Sequence, residues 1–162
     1  MSKSTNDHIW TRERGLNLAA LIGCLFIYGI TISLFTPLLS LILESRGVSS
    51  SMIGGLAMAA PTGIMIGSYF VPWFMKNLEG RILLIGGVAF EILLIFALMS
   101  THSIVAWFVI RFIGGLVGSI LFVVSETWII EITPRAHQGR VMGLYNTTMA
   151  LSFAIGPLIL SM

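Results

Sequence analysis

The chain has 162 residues, of which 56% are hydrophobic and 10% are charged, whereas about a quarter of the residues of a soluble domain are charged. Three runs carry no charge: 29 residues after Arg14, 29 after Arg46 and the 22 that follow Arg140. Because about 20 apolar residues cross the hydrocarbon core as a helix, this pattern excludes a soluble globular protein. The net charge is +2, but the cations cluster on one membrane face, so we expect the lipid bilayer as a partner and no nucleic acid.

The apolar runs predict an all-α, polytopic transmembrane helix bundle with five spans. We place the spans at residues 16–43, 52–75, 82–100, 104–130 and 141–162, after an N-terminal segment of residues 1–15. The serines before Met52 are expected to cap the second helix. The first apolar run is too long for a signal peptide, so we expect a retained helix. The fifth span ends with the chain, which suggests an incomplete bundle from a longer protein.

The positions of the cations predict the orientation, because Lys and Arg near span ends are retained on the cytoplasmic side. One face collects seven cations, whereas the other has only Arg46, and Arg111 lies within a span. The N-terminus is therefore expected in the cytoplasm, with the protein in a bacterial plasma (inner) membrane. The seven cations are Lys3, Arg12, Arg14, Lys76, Arg81, Arg135 and Arg140.

Three ionisable residues fall within the spans. A charge in hydrocarbon is costly, so we expect each of them to have a structural or functional role. Glu91 lies about 15 Å from the inner boundary and Arg111 about 12 Å from the outer one, so both are near the middle of a core about 30 Å thick. We expect these two to meet, although Glu91 could instead be a protonated, hydrogen-bonded carboxyl group. Glu126 lies near the cytoplasmic turn, where an ion-pair network is the expected role.

Two spans carry mixed polar and aromatic residues at helical spacing. By itself this pattern indicates a helix-packing interface. Glycine and proline also interrupt the spans, which favours closely packed helices that change shape. The stripe residues are Cys24, Tyr28, Thr31 and Phe35 in the first span, and Ser119, Phe122 and Ser125 in the fourth.

The sequence offers no catalytic residues and no metal ligands at a recognisable spacing. The three histidines lie outside the apolar cores, Cys24 is the only cysteine, and no Walker loop or Ser-His-Asp set is present. We therefore expect no enzyme activity and no cofactor.

The fourth span resembles a motif of the major facilitator superfamily. Arg111 is followed by Gly115 and Gly118, similar to the RxxxG pattern in the fourth helix of that family. Gly115 and Gly118 lie on one face with Arg111, where they would permit a close helix contact.

Three more segments resemble motifs of the same family, with departures. Asn77 stands where the family's loop carries an aspartate, and Ser152 replaces the leading glycine of a GxxxGP motif, so the loop's charge relay and an antiporter assignment are weakly supported. The matching residues are Gly80 and Arg81 in the loop after the second span, Gly139 and Arg140 at the entry to the fifth span, and Gly156 and Pro157 within it.

The resemblance covers nearly the whole chain, as helices one to five of a twelve-helix protein. It implies secondary active transport of a small solute by alternating access, with the remaining helices in a longer chain. Protons are the expected coupling ion, because the spans offer carboxylates and no nucleotide site. In this family helices one and four line the central cavity, which makes their stripes, with Glu91, Arg111 and Glu126, the substrate or coupling candidates. The alternative is a five-span accessory subunit without a solute path.

Overall fold

The computed structural model describes residues 12–161, which form five long helices joined by short turns. All five are long and apolar enough to cross a membrane. No strand occurs within residues 12–161, so the prediction of an all-α membrane protein with five spans is confirmed. The helices are α1 (Arg12–Ser45), α2 (Ser50–Asn77), α3 (Gly80–Ser100), α4 (Ile104–Ile132) and α5 (Gln138–Leu160), with a 3-10 turn at Arg135–His137 before α5.

Each helix extends past its predicted span at one or both ends, into polar flanks that hydropathy assigns to turns. Gly80 and Gln138 thus begin α3 and α5 instead of lying in loops. The expected serine cap of α2 is wrong: Ser49 stands at the N-cap position, but its side chain makes no capping hydrogen bond. The N-terminal segment as far as residue 11, with Lys3 and His8, and also Met162 lie outside the described residues.

The turn after α1 depends on a glycine. Gly47 has φ of 71°, a left-handed conformation that a side chain disfavours. In this conformation the Gly47 N–H donates to Glu44 O at 2.9 Å and the Val48 N–H to Leu43 O at 3.1 Å. Both bonds satisfy carbonyl groups at the helix end, which have no partner within the helix itself.

By their internal contacts, the described residues form two compact units. The first comprises the residues up to Leu41 and those from Thr127 onward, and the second comprises Ile42–Glu126.

In the first unit, α1 packs against α5 through two reciprocal pairs of small residues. A Cβ placed on Gly29 would collide with Ser152 Oγ and lie 2.9 Å from Ser152 Cβ. One turn further, a Cβ on Gly156 would collide with Ser33 Oγ and lie 2.7 Å from Leu34 N. The Ser33 hydroxyl donates to the Ser152 carbonyl oxygen at 3.1 Å. Each helix therefore supplies one glycine and one serine, so that the backbones approach closely and share a hydrogen bond.

In the second unit, α2 and α4 meet through glycines on both helices. A Cβ on Gly115 would collide with the Ala60 carbonyl oxygen, and one on Gly63 would lie 3.0 Å from Gly115 Cα. A Cβ on Gly67 would collide with Ser119 Oγ and lie 2.9 Å from the Leu116 carbonyl oxygen. The obstacles are mostly backbone atoms, so this contact tolerates almost no added bulk.

Helix α3 contributes to the second unit through a small apolar cluster and another glycine. Val71 of α2, Leu83 of α3 and Val124 of α4 are buried together. A Cβ on Gly87 would lie 2.7 Å from Leu121 Cδ2. The rest of α3 is largely exposed, as expected of a helix that faces lipid.

The α1–α5 contact predicts that a second substitution restores stability after Gly29→Ala but not after Gly156→Ala. Gly29→Ala should lower the free energy of unfolding by about 1–3 kcal/mol through overpacking. Adding Ser152→Gly should restore most of the loss, because the obstacle is the Ser152 side chain and the carbonyl that accepts from Ser33 remains. Ser33→Gly should not rescue Gly156→Ala, since Leu34 N still blocks the new methyl group. Thermal unfolding of the four variants in detergent measures this, and equal rescue in both pairs would contradict the packing described.

The α2–α4 contact predicts that alanine at Gly115 is destabilising whatever its neighbours are. Gly115→Ala should cost about 1–3 kcal/mol, because its methyl group meets the Ala60 backbone. Gly86→Ala is the matched control: this glycine also lies in a membrane helix, but a Cβ there has no atom within 4 Å. The unfolding temperatures of both variants provide the measurement. Equal unfolding temperatures would argue against close contact at Gly115.

Candidate functional site

Arg111 and Glu91 lie on α4 and α3 of the second unit, and both side chains are half-buried. A Cβ on Gly114 would lie 3.7 Å from Glu91 Oε2 and 3.9 Å from Oε1. The Glu91 carboxylate thus faces the α4 backbone one turn beyond Arg111. Neither side chain is without an interaction partner. Their close approach stays a prediction, and the position of the carboxylate over Gly114 supports it.

The fourth-span stripe is divided between packing and partly exposed positions. Ser119 has 0% of its surface exposed, and its hydroxyl donates to the Leu116 carbonyl oxygen at 2.7 Å. It lies against Gly67 of α2, so its small size serves the helix contact. Ser125 is also buried, whereas Phe122 keeps part of its surface. Of these three residues, Phe122 is the one whose side chain is partly exposed.

The first-span stripe belongs to the first unit and remains accessible along its length. Tyr28, Thr31 and Phe35 are half-buried, and Cys24 is exposed. The Thr31 hydroxyl donates to the Ile27 carbonyl oxygen at 2.9 Å, which leaves its lone pairs available as acceptors. Tyr28 also has an interaction partner.

The other glycines and cations of the motifs lie at helix ends or helix contacts. Gly80 begins α3, where a Cβ would lie 3.3 Å from Val124 Cγ1, while a Cβ on Gly139 would have no atom within 4 Å. Glu126 is half-buried near the end of α4. Gly118 is buried, and Arg81, Arg140 and Pro157 are exposed.

Two amide side chains, which sequence reasoning left without a role, cap helix ends. The Asn77 Nδ2 donates to the Trp73 carbonyl oxygen at 2.8 Å. An ionised aspartate at this position could not donate, so the departure from the family's loop has a structural use. The Gln138 Nε2 donates to the Ile130 carbonyl oxygen at 3.0 Å and thereby joins the start of α5 to the end of α4.

Arg46 joins the turn after α1 to the turn before α4. Its guanidinium group lies 5.0 Å from the Trp107 ring centroid, and Nη1 donates to the His102 carbonyl oxygen at 3.4 Å. The Trp107 indole N–H donates to the Thr101 carbonyl oxygen at 2.8 Å, and 4% of Trp107 is exposed. Both turns therefore lie at one end of the helices. In the sequence, the only sign of this contact was that Arg46 is the single cation expected on its membrane face.

Among the described residues, no group of three His, Cys, Asp or Glu side chains could hold a metal ion. His102 is exposed beside Arg46, and His137 lies in the turn before α5.

Known proteins match this chain over most of its length. The family model of the Major Facilitator Superfamily matches residues 21–162. The chain is similar to an uncharacterized MFS-type transporter, YfkF, from Bacillus subtilis (strain 168), with 27% identity over 131 residues. The aligned region is 81% of this chain and 34% of that relative, so the chain spans about a third of the relative's length. No solved structure matches the chain significantly.

The family model covers most of the first membrane-length helix and all of the other four, and it includes the Arg111, Gly80 and Gly156 motifs. The chain is an integral membrane protein and belongs to the Major Facilitator Superfamily.

Proposed function

We propose that this protein carries out secondary active transport of a small solute by alternating access. The family match over residues 21–162 carries the proposal, because membership points to a transporter. Helices that pack through glycines can change their packing without displacing large side chains, which suits alternating access.

Protons are the proposed coupling ion. Glu91 and Glu126 place two carboxyl groups on membrane helices, where an ionisable residue is costly and is a candidate for an ion or substrate pathway. The sequence has no nucleotide-binding motif that would supply another energy source. Arg111 is the proposed solute or coupling contact on α4, because guanidinium presents several donors in a fixed plane. Phe122 on α4 and Tyr28, Thr31 and Phe35 on α1 are the proposed solute-contact residues.

The solute path is proposed to need helices beyond these five. The relative from Bacillus subtilis is about three times as long as the aligned region. We propose that the present chain is the N-terminal part of such a transporter and that the bundle of residues 16–162 does not transport alone.

The cation distribution predicts a cytoplasmic N-terminus, and we propose a bacterial inner membrane as the location. In a Cys24→Ala background, a membrane-impermeant maleimide added to intact cells should label Ser50→Cys and leave His137→Cys unlabelled. Both positions are exposed, so a difference reports the side of the membrane. Labelling of His137→Cys alone would reverse the orientation.

Alternating access predicts that one α1 residue reacts from both sides of the membrane. Thr31→Cys, in the same background and in the full gene product, should react with an impermeant thiol reagent in intact cells and in inverted vesicles. Leu93→Cys is the control: Leu93 is exposed on the apolar surface of α3 and should react from neither side. If Thr31→Cys is also protected on both sides, the protein has no solute path at α1, as expected of an accessory subunit.

A further inference from the structure

Arg46, His102 and Trp107 form a group of contacts between two turns of the second unit, which we call the Arg46 cluster. The Arg46 guanidinium group lies over the Trp107 ring, 5.0 Å from its centroid. Its Nη1 donates to the His102 carbonyl oxygen at 3.4 Å, and its Nη2 lies 3.5 Å from His102 Nδ1. Arg46 and His102 are exposed, whereas Trp107 is buried. One cation therefore contacts both the backbone and the ring of a histidine that water can reach.

The contact between Arg46 Nη2 and His102 Nδ1 requires a neutral imidazole ring. A guanidinium group only donates hydrogen bonds and keeps its charge, so Nδ1 is the acceptor and the ring proton is on Nε2. In a protonated imidazole both ring nitrogens carry a proton, and neither can accept a hydrogen bond. Protonation therefore replaces the contact with two opposed donors that both carry positive charge. Even in water, two unit charges about 4 Å apart repel strongly enough to shift an equilibrium by about fivefold.

The segments around the Arg46 cluster contain few other groups that could titrate. Glu44, exposed at the end of α1, is the one acid in residues 44–51. Over residues 50–75, α2 has no charged side chain, and its single titratable group is Tyr69. His102 is the only titratable residue from residue 92 on α3 to residue 110 on α4. Because histidine is the side chain whose charge ordinarily changes between pH 5 and 8, a change of charge here in that range falls on His102.

The backbone on both sides of the Arg46 cluster is held by hydrogen bonds that do not involve the Arg46 and His102 side chains. The Arg46 N–H donates to the Leu43 carbonyl oxygen at 3.1 Å, at the end of α1. The Trp107 indole N–H donates to the Thr101 carbonyl oxygen at 2.8 Å, which fixes the ring against its own turn. The Arg46 and His102 side chains can therefore move while the Trp107 ring stays in place.

From this geometry we propose that the Arg46 cluster is a pH-sensitive switch that joins the turn after α1 to the turn before α4. While His102 is neutral, the guanidinium group is held between His102 and the Trp107 ring. When His102 Nδ1 takes up a proton from water, the acceptor is lost, the two cations repel, and Arg46 leaves the ring. Loss of the proton restores the contact. In the proposed orientation this end of the helices faces the outside, so external pH sets the switch. The switch needs no solute path, so it goes beyond the proposed function and does not depend on it.

Hydroxyl-radical footprinting of the full gene product measures how well the Trp107 ring is covered. Trp107 is the only tryptophan in the tryptic peptide of residues 82–111. Mass spectrometry of this peptide gives the oxidation of Trp107 relative to that of Met99, which is 72% exposed. Between pH 8 and pH 5 this ratio should rise about two- to fivefold, because repulsion between two cations drives the guanidinium group from the ring.

Three variants assign the change to its residues. His102→Gln keeps an uncharged acceptor at this position, so the ratio should stay low at both pH values. Arg46→Gln removes the cation over the ring, so the ratio should be high at both. Glu44→Gln is the matched control: it removes the one acid of the same turn and should leave the wild-type pH dependence intact.

A second tryptophan separates release of Arg46 from unfolding in acid. Trp128 is half-buried on the last turns of α4, and its oxidation should be the same at pH 8 and pH 5. A parallel rise at Trp128 would show general unfolding and would overturn the switch. The switch is also overturned if the wild-type ratio at Trp107 does not change with pH, or if its rise survives either His102→Gln or Arg46→Gln.

Discussion

The structure depends on one constraint: hydrocarbon offers no partner to a backbone N–H or C=O group, so each group must be satisfied within the protein. Five helices meet this requirement, and short hydroxyl side chains follow the same rule. Thr31, Thr62 and Thr147 each donate to the carbonyl oxygen four residues earlier in their own helix. Among the described residues, no buried side-chain nitrogen or oxygen atom lacks a partner. Because these polar groups form hydrogen bonds within single helices, the helices associate mainly through close packing and a few hydrogen bonds between helices.

Both units contain close helix contacts at glycines, but the atoms that would block a larger residue differ between them. In the α1–α5 contact, the Ser152 side chain occupies the space beside Gly29, where a larger residue would collide with it. In the α2–α4 contact, Gly115 meets the Ala60 backbone, and no exchange of side chains can accommodate a larger residue. In lipid, where burial of apolar surface adds little to helix association, such backbone contacts supply much of the attraction. A paired change can remove the obstacle at Gly29, whereas backbone atoms limit how large a residue Gly156 and Gly115 can be replaced by.

The charged side chains lie in two different kinds of surroundings. Arg111 and Glu91 are half-buried ionisable residues on α4 and α3, and the Glu91 carboxylate lies 3.7 Å from the position that a Gly114 Cβ would take. Arg46 lies at a helix end, where the Trp107 ring and a carbonyl oxygen surround its guanidinium group. The first arrangement places a carboxylate beside the α4 backbone at Gly114. The second joins two turns by contacts whose components are all outside the apolar helix centres.

Several properties of this protein follow from the sequence by itself. The apolar runs predict five membrane helices, because the length of an apolar run and the thickness of a bilayer are directly comparable. The Arg111, Gly115 and Gly156 motifs indicate the family. Helix ends were less accurate at Gly80 and Gln138, since polar flanks can continue a helix beyond the hydrocarbon and hydropathy does not register this.

The tertiary structure decided which small residues meet. The sequence contains many glycines, and periodicity does not distinguish Gly86, which faces open space, from Gly87, which lies against Leu121. Ser119 had the spacing of a cavity residue, but the rotation of α4 turns it toward Gly67. The agreement in depth of Glu91 and Arg111 follows from counting residues, whereas the position of the carboxylate over Gly114 depends on the rotation of α3 against α4. Helix rotation is set by contacts between helices, and a single sequence specifies those contacts only through the folded chain.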